Sequence, residues 1–365
     1  MRVCHVVRQY APSVGGLESF VASLASTLQT LDCTSDVLTL DRVFNSRGGR
    51  RLPSHELIHG VRVHRVPMMG HPRFFVPVIE DGSLDGYDVI HVHGVDGMFD
   101  RMAIRRRPPR QKLVATSHGL FFHTRWMTPV KEIYLRTATR AAAARYDLLI
   151  ANSVSDLKRL RMVSDDVVHL PNGITPIGHF VANGRDVLCL GRLATHKHIE
   201  RIIAALAQPE LAGIRLHVVG PEWNVSQLDL ARTAEIHKVA DRVLLHGRVD
   251  AARLTEIAGD CALFVSASTY EGFGMSLVEA MSVGLIPVVH PNPAFVELLG
   301  AANSGQLVDF KRPTAAARAM RRQLDNICEL DRRRAVAYAS RFAWSAHAER
   351  TMRLYCADRP LAISA

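Results

Sequence analysis

The stretch Ser268-Thr269-Tyr270-Glu271-Gly272-Phe273-Gly274-Met275-Ser276-Leu277-Val278-Glu279-Ala280 is where residue types and spacing point most directly to chemistry. Gly272 and Gly274 allow a tight turn, and the backbone N–H groups at the start of the following helix lack partners. Such a helix start binds anions, because the bare N–H groups and the helix dipole both favour negative charge. Glu271 stands before the turn and Glu279 in about the second helical turn. A carboxylate on each side of an anion-binding turn suits a ligand with hydroxyls at both ends and phosphates in the middle, which is the form of a nucleotide-sugar. Arg192 and Lys197, in Gly191-Arg192-Leu193-Ala194-Thr195-His196-Lys197-His198, are suitable counter-charges for the diphosphate. A second glycine turn, Pro12-Ser13-Val14-Gly15-Gly16, lets a phosphate approach the backbone near another helix start. It is not G-x-G-x-x-G, so a nicotinamide fingerprint is absent.

Three further polar spots follow strands: His91-Val92-His93-Gly94-Val95-Asp96, Ser117-His118-Gly119 and Asn152-Ser153. His91 and His93 are read as projecting to opposite faces of their strand, so that they do not share a metal. The six cysteines are scattered without a C-x-x-C and read as small buried hydrophobes.

The elements that must position these groups alternate along the chain. Strands are predicted at Arg2–Val7, Asp36–Leu40, Val61–Val66, Asp88–Val92, Lys112–Ser117 and Asp147–Ala151. The pattern restarts at Asp186–Leu190, Leu216–Val219, Val243–Leu245, Leu263–Ser266 and Pro287–His290. Helical periodicity lies between several of them, with Leu277, Ala280, Met281 and Gly284 on one face in the E-rich stretch. Longer helices are predicted over Thr128–Arg145 and Gln323–Arg334, and a last one after Ser345 as N-cap. Alternation of this kind means α/β domains with mostly parallel, doubly wound sheets, whose ligands bind at the carboxyl ends of the strands. Pro171-Asn172-Gly173-Ile174 is a turn between the two repeats of the pattern.

A chain of 365 residues is long enough for two domains. Nothing in it reaches the apolar length of a transmembrane helix, and the start has too short an apolar run for a signal peptide, so the expected place is the cytoplasm. The net charge of +10 is concentrated in the N-terminal half. Arg101, Arg105, Arg106, Arg107, Arg110 and Lys112 form a run without acids beside Met102, Ala103 and Ile104. Lys131, Arg136, Arg140 and Arg145 follow Phe121-Phe122-His123-Thr124-Arg125-Trp126. Either this is a solvated surface, or basic residues near aromatics meet an anionic membrane or a lipid diphosphate. No nucleic-acid-binding signature occurs, so nucleic acid is not an expected partner.

The Glu271–Glu279 string resembles the E-x7-E motif of retaining GT-B glycosyltransferases, in particular glycosyltransferase family 4. The Gly15-Gly16 turn, His118, Asn172-Gly173, Arg192 and Lys197 follow the family order over nearly the whole chain. The resemblance implies an α/β GT-B fold, two Rossmann-like doubly wound domains facing a cleft. It implies residues 1–178 as the acceptor- and membrane-facing domain, 179–340 as the nucleotide-sugar domain, and 341–365 as a helix crossing back. By the same resemblance Glu271 holds sugar hydroxyls beside the Gly272, Phe273 and Gly274 amides, and Glu279 the ribose. Arg192 and Lys197 stabilise the leaving diphosphate, His118 orients the sugar ring, and Gly15, Gly16, Asn172 and Val249 complete the donor contacts. His118, Glu271, Arg192 and Lys197 are the expected catalytic residues, acting in a front-face substitution with retention. Asp96, Arg105, Arg106, Arg107, Trp126 and Lys131 are assigned to the acceptor or membrane.

The chain has no Asp-x-Asp, which argues against metal-dependent transfer, so neither metal nor cofactor is expected. Val7-Arg8-Gln9-Tyr10 and Phe121-Phe122-His123-Thr124 are similar to a narrower group, the α-mannosyltransferases of bacterial exopolysaccharide assembly. Those enzymes move mannose from GDP-mannose to cellobiosyl-diphosphopolyprenol, which implies that lipid-linked acceptor and a peripheral place on the inner face of the cell membrane. An epimerase or phosphorylase of the same architecture, or a non-catalytic sugar- or lipid-binding protein, stays open; nothing in Gly247-Arg248-Val249 tells guanine from uracil.

Overall fold

Short runs rich in Val, Ile and Leu form strands covered on both faces, as parallel sheets require. The computed structural model describes residues 1–13, 15–44, 51–72, 74–119, 134–178 and 182–357. Its backbone divides into two units, one comprising Met1–Gly173 with Trp344–Ala365 and the other Ile174–Ala343.

In the first unit the strands are β1 (Arg2–Val7), β2 (Thr34–Leu40), β3 (His55–Ile58), β4 (Val61–Val66), β5 (Met68–His71), β6 (Phe74–Pro77), β7 (Val89–His93), β8 (Lys112–Thr116), β9 (Leu148–Ala151) and β10 (Val167–His169). Eight of these form a sheet in the order β10-β9-β8-β7-β1-β2-β4-β3, while β5 and β6 pair separately. Every pairing in the large sheet is parallel except β3 with β4. Alternate residues of β1 serve two cores: Cys4 and Val6 on one face, Val3 and Val7 on the other. The second of these faces lies beneath the helices Gly16–Gln29 and Trp344–Cys356, through Phe20, Leu24, Ala348 and Leu354.

The second unit holds β11 (Asp186–Leu190), β12 (Leu216–Val219), β13 (Val243–Gly247), β14 (Cys261–Ser266), β15 (Ile286–Val289) and β16 (Gln306–Leu307). They run in the order β13-β12-β11-β14-β15-β16, all parallel. One continuous core fills this unit, with Phe264, Leu277, Met281 and Phe295 wholly buried. Both units are therefore Rossmann-like, as expected.

The predicted strands agree with the observed ones to within two residues, the usual uncertainty of element ends. The short edge and hairpin strands β3, β5, β6, β10 and β16 were not anticipated: β3, β5 and β16 are mostly exposed and leave no apolar pattern, while β6 and β10 bury half or more of their residues but span only four and three. The predicted helix over 323–334 is corrected. Two helices, Pro313–Asn326 and Glu329–Ser340, meet at Ile327-Cys328, where the Asp331 carboxylate accepts from the Cys328 backbone N–H and starts a new helix. Ser345 lies inside the last helix, which begins at Trp344, so it is not the N-cap. The described part of the predicted helix over 128–145 is a π-helical turn, Leu135–Thr139, running into Arg140–Ala143.

Candidate functional site

In each unit the candidate residues sit just beyond the carboxyl ends of parallel strands, where ligands of doubly wound sheets bind. In the second unit, β14 leads into Glu271 and the glycine turn, and β11 into Gly191 and Arg192. Gly274 caps the helix Met275–Ser282 with φ +97°, and a Cβ there would lie 2.9 Å from Leu298 Cδ1. Glycine is thus required by conformation, and any larger residue would also have to displace the Leu298 side chain. No side chain caps this helix start, which leaves its N–H groups available to an anion. The turn is held by Asn292 donating to the Ser268 carbonyl (2.9 Å) and by the Ser268 hydroxyl donating to the Tyr270 carbonyl (2.9 Å).

Lys197 and Glu271 meet directly, Nζ to Oε1 at 2.6 Å, with both side chains mostly buried. Gly191, at φ +136°, is favoured as glycine by its backbone conformation and lies beside this lysine, where a Cβ would be in ordinary contact 3.4 Å from Nζ. Gly220 in turn packs against Gly191, where a Cβ would come within 2.0 Å of the Gly191 carbonyl oxygen. Arg192 is exposed, and its guanidinium lies 5.0 Å above the Trp223 ring, a cation–π contact that fixes a long side chain. Trp223 was missed in the sequence; its position after the carboxyl end of β12 was the available signal. Glu279 is half-buried on the helix Met275–Ser282. Burial pushes its carboxyl up to about 7, against the lowering influence of Lys197. The Phe273 side chain is buried against Phe342 (ring centroids 5.5 Å), so only its backbone is open to a ligand. Val249 packs against the core just past β13.

In the first unit, Gly15 caps the helix Gly16–Gln29 in extended conformation. The Glu18 carboxylate, which takes the Ser13 hydroxyl at 3.3 Å, fills the space where a Gly15 Cβ would be. Gly16 is open, with nothing near its missing Cβ. His118 follows β8 in the left-handed region at φ +50°. Asp156, at the start of the helix Val154–Leu160, holds both flanking residues: it accepts from the Ser117 hydroxyl at 2.6 Å and from the Gly119 backbone at 2.9 Å. The His118 ring packs edge-on against Phe20 (4.4 Å), and its Nε2 lies 3.1 Å from His93 Nδ1. Burial lowers its pKa to about 3, so the ring is neutral. Asn172 is buried, and its Oδ1 has no partner among the described residues. The next residue, Gly173, lies against the Trp344 ring, where a Cβ would come within 2.6 Å.

The histidine reading is corrected. Residues i and i+2 of a strand project to the same face, and the His91 and His93 rings stand side by side at 4.1 Å. With His5 they form a buried group whose ligand-capable atoms lie within 4.8 Å of one another. Asp96 acts as a helix cap, accepting from Met98 N at 2.9 Å, with Arg8 at 3.8 Å. Burial raises its pKa.

The cationic run is corrected in part. Arg105 is buried and paired with Asp85 (3.0 Å) and Gln111, and thus has no free charge for a membrane. Arg107 makes a bidentate contact with Asp147 at 2.5 and 3.0 Å. Arg106 and Arg110 are exposed, next to an Ile104 that is 79% exposed. Trp126 and Lys131, with the aromatic segment 121–126, lie outside the described residues. Among the described residues no helix is long and apolar enough to cross a membrane.

Residues 14–176 match the family described as Glycosyltransferase Family 4, and residues 177–341 the one described as Glycosyl transferases group 1. A GDP-mannose:cellobiosyl-diphosphopolyprenol alpha-mannosyltransferase of Xanthomonas oryzae pv. oryzae is 32% identical over 94% of this chain and 93% of its own. A protein of the same name from Komagataeibacter xylinus is 32% identical over 97% and 93%. Among solved structures, a sucrose-phosphate synthase from Thermosynechococcus elongatus superposes with TM-score 0.73 at 20% identity, covering 97% of this chain and 98% of that one. Anabaena HepE in complex with UDP gives 0.71 at 18% identity, covering 97% and 99%. Since both units match transferase families and curated relatives align with it nearly end to end, the chain belongs to glycosyltransferase family 4 and is a GT-B glycosyltransferase.

Proposed function

We propose that this transferase moves mannose from GDP-mannose, with retention, onto a cellobiosyl unit carried by a polyprenyl diphosphate. The observation that carries the reading is the 32% identity, nearly end to end, to relatives bearing that name. The residues fit the parts of such a donor. The Met275–Ser282 helix start and Arg192 with Lys197 suit a diphosphate, Glu271 the sugar hydroxyls, and Glu279 the ribose hydroxyls.

As the bond between the sugar carbon and the diphosphate breaks, its electron pair leaves with the diphosphate. Arg192 and Lys197 then meet a charge that grows in the transition state, so they accelerate the step as well as bind. His118, neutral and clamped between residues held by Asp156, orients the mannosyl ring. The acceptor hydroxyl attacks on the face the diphosphate leaves and passes its proton to the departing phosphate oxygen. Lysine and arginine supply the counter-charge without a metal, so a chelator should leave the rate unchanged; loss of activity restored by a divalent ion would refute this. Exposed Arg106, Arg110 and Ile104 suit a peripheral contact with the anionic inner face of the cell membrane, where the lipid-linked acceptor lies.

The test is a panel of radiolabelled GDP-mannose, GDP-glucose, UDP-glucose and UDP-N-acetylglucosamine with cellobiosyl-diphosphopolyprenol. Label should enter the lipid fraction from GDP-mannose alone. Transfer from a UDP-sugar would overturn the donor, and donor conversion without acceptor would overturn the transferase reading.

A further inference from the structure

The Gly16–Gln29 and Trp344–Cys356 helices cover a row of histidines on the first sheet. Register places His5 beside His91 and Val7 beside His93. Ser35 Oγ lies 3.4 Å from His5 Nε2, His5 Nδ1 lies 2.9 Å from His93 Nε2, and His93 Nδ1 lies 3.1 Å from His118 Nε2. His91 stands aside from this line, with Nδ1 2.6 Å from the Tyr355 hydroxyl and Nε2 2.7 Å from Thr116 Oγ1. All six ring nitrogens of His5, His91 and His93 therefore have hydrogen-bond partners, which leaves no free lone pair for a metal and favours a proton-ordered network.

A neutral imidazole has one N–H and one acceptor nitrogen. In the line Ser35–His5–His93–His118 each ring must donate in the same direction, because two lone pairs or two N–H groups cannot face each other. Burial keeps His5 and His118 at about 3 and His93 well below its ordinary value, so no extra proton relieves this constraint. The direction is set at the far end. The Ser35 hydroxyl is fully buried and faces His5 Nε2, with the Cys33 sulfur as its other neighbour. An imidazole nitrogen is a much better acceptor than a thiol sulfur, so Ser35 donates to His5. His5 then donates from Nδ1 to His93 Nε2, and His93 from Nδ1 to His118 Nε2.

We propose that His93 and His5 are positioning residues of the transfer reaction: with Ser35 they form a one-directional hydrogen-bond chain that holds the His118 proton on Nδ1. Nδ1, which has no partner among the described residues, then meets the sugar as a hydrogen-bond donor. The catalytic part of this inference rests on the role of His118 given above; the proton placement does not.

The experiment is nitrogen-15 NMR of the full-length protein labelled in its histidine rings, with His118 assigned by His118→Gln. The expected spectrum shows neutral His118 protonated on Nδ1 across pH 6–8. His93→Leu should give a mixed tautomer and about a tenfold lower kcat at unchanged nucleoside-diphosphate affinity. His93→Gln, whose amide can still donate to His118, should restore the tautomer and most of kcat. Ser35→Ala is small enough to fold and should also mix the tautomers if His93→Leu does not fold. An Nε2-protonated or already mixed His118 in the parent, or no change in Ser35→Ala and His93→Leu, would overturn the chain. Stoichiometric metal in the purified protein would overturn it in favour of a metal centre. Tautomers that respond as expected while kcat does not would leave the chain's proton order standing but refute its part in catalysis, and with it the His118 role.

Discussion

At Glu279, burial lifts the carboxyl to about 7 from 4.5, so its charge changes near neutral pH. The sign follows from linkage: the folded state holds this proton more tightly than the unfolded chain, so the group's contribution to stability falls as pH rises between those values. In the proposed role ribose hydroxyls donate to this carboxylate, so nucleotide binding would favour the ionised form. Binding of a nucleoside diphosphate at pH 6 should therefore release a proton and strengthen toward pH 8. Calorimetry in two buffers of different ionisation enthalpy measures the release, which Glu279→Gln should abolish. Glu279→Ala should weaken nucleoside-diphosphate binding by about 1.5–3 kcal/mol, the scale of hydrogen bonds to a charged group; unchanged affinity in a folded variant would remove the ribose role. At His118 the expectation differs in kind, because positioning alone has large effects on rate. His118→Ala should lower turnover far more than nucleoside-diphosphate affinity, and near-parental turnover at saturating substrates would show the ring to be structural.

At the scale of elements, the last helix is tied to the first sheet through a buried polar contact. Tyr355, wholly buried, meets His91 at 2.6 Å, and His347 Nδ1 donates to the Pro171 carbonyl at 2.9 Å. Tyr355→Phe leaves a buried imidazole nitrogen without a partner, at a cost of about 1–3 kcal/mol. Its thermal midpoint should fall, while nucleotide affinity should not, because Tyr355 is none of the proposed donor contacts. The turn before the Met275–Ser282 helix depends on Gly274 at φ +97°. Gly274→Ala puts a Cβ in the left-handed region, at roughly 1–2 kcal/mol by conformation alone, and pushes it toward Leu298. Here both stability and nucleotide affinity should drop, since in the proposed site the same turn presents its amides to the diphosphate. A variant with parental melting and affinity would mean that the turn relaxes freely.

For the whole molecule, the basic excess is partly internal. Arg105 and Arg107 answer acids of their own unit, and the charge left for a surface is that of Arg106, Arg110 and their neighbours. Binding to acidic vesicles should weaken with salt, since exposed charges are screened within about 10 Å at 0.1 M. Arg106→Gln with Arg110→Gln should lower vesicle binding and activity on the lipid-linked acceptor, and spare donor binding. Vesicle binding equal to the parent's would make the run an ordinary solvated surface.

Local pattern determined much of this protein. Apolar runs between glycine turns fixed the strand–helix alternation, because parallel strands buried on both faces leave little freedom in composition. The string from Glu271 to Glu279 stood out because a helix start and its flanking charges lie close in sequence, and Arg192 with Lys197 because both follow the end of a predicted strand. Tertiary structure decided what depends on distant partners. Only folding brings Lys197 against Glu271, 74 positions apart, stacks Arg192 on Trp223, and clamps His118 through Asp156. Only folding places Arg105 in a buried pair rather than at a surface. The facing of His91 and His93 was available in principle from the two-residue period of a strand. Their joining to His5, Ser35 and His118 was not, because parallel pairing brings β1, β2, β7 and β8 together across long connections, and no local spacing records which strands become neighbours.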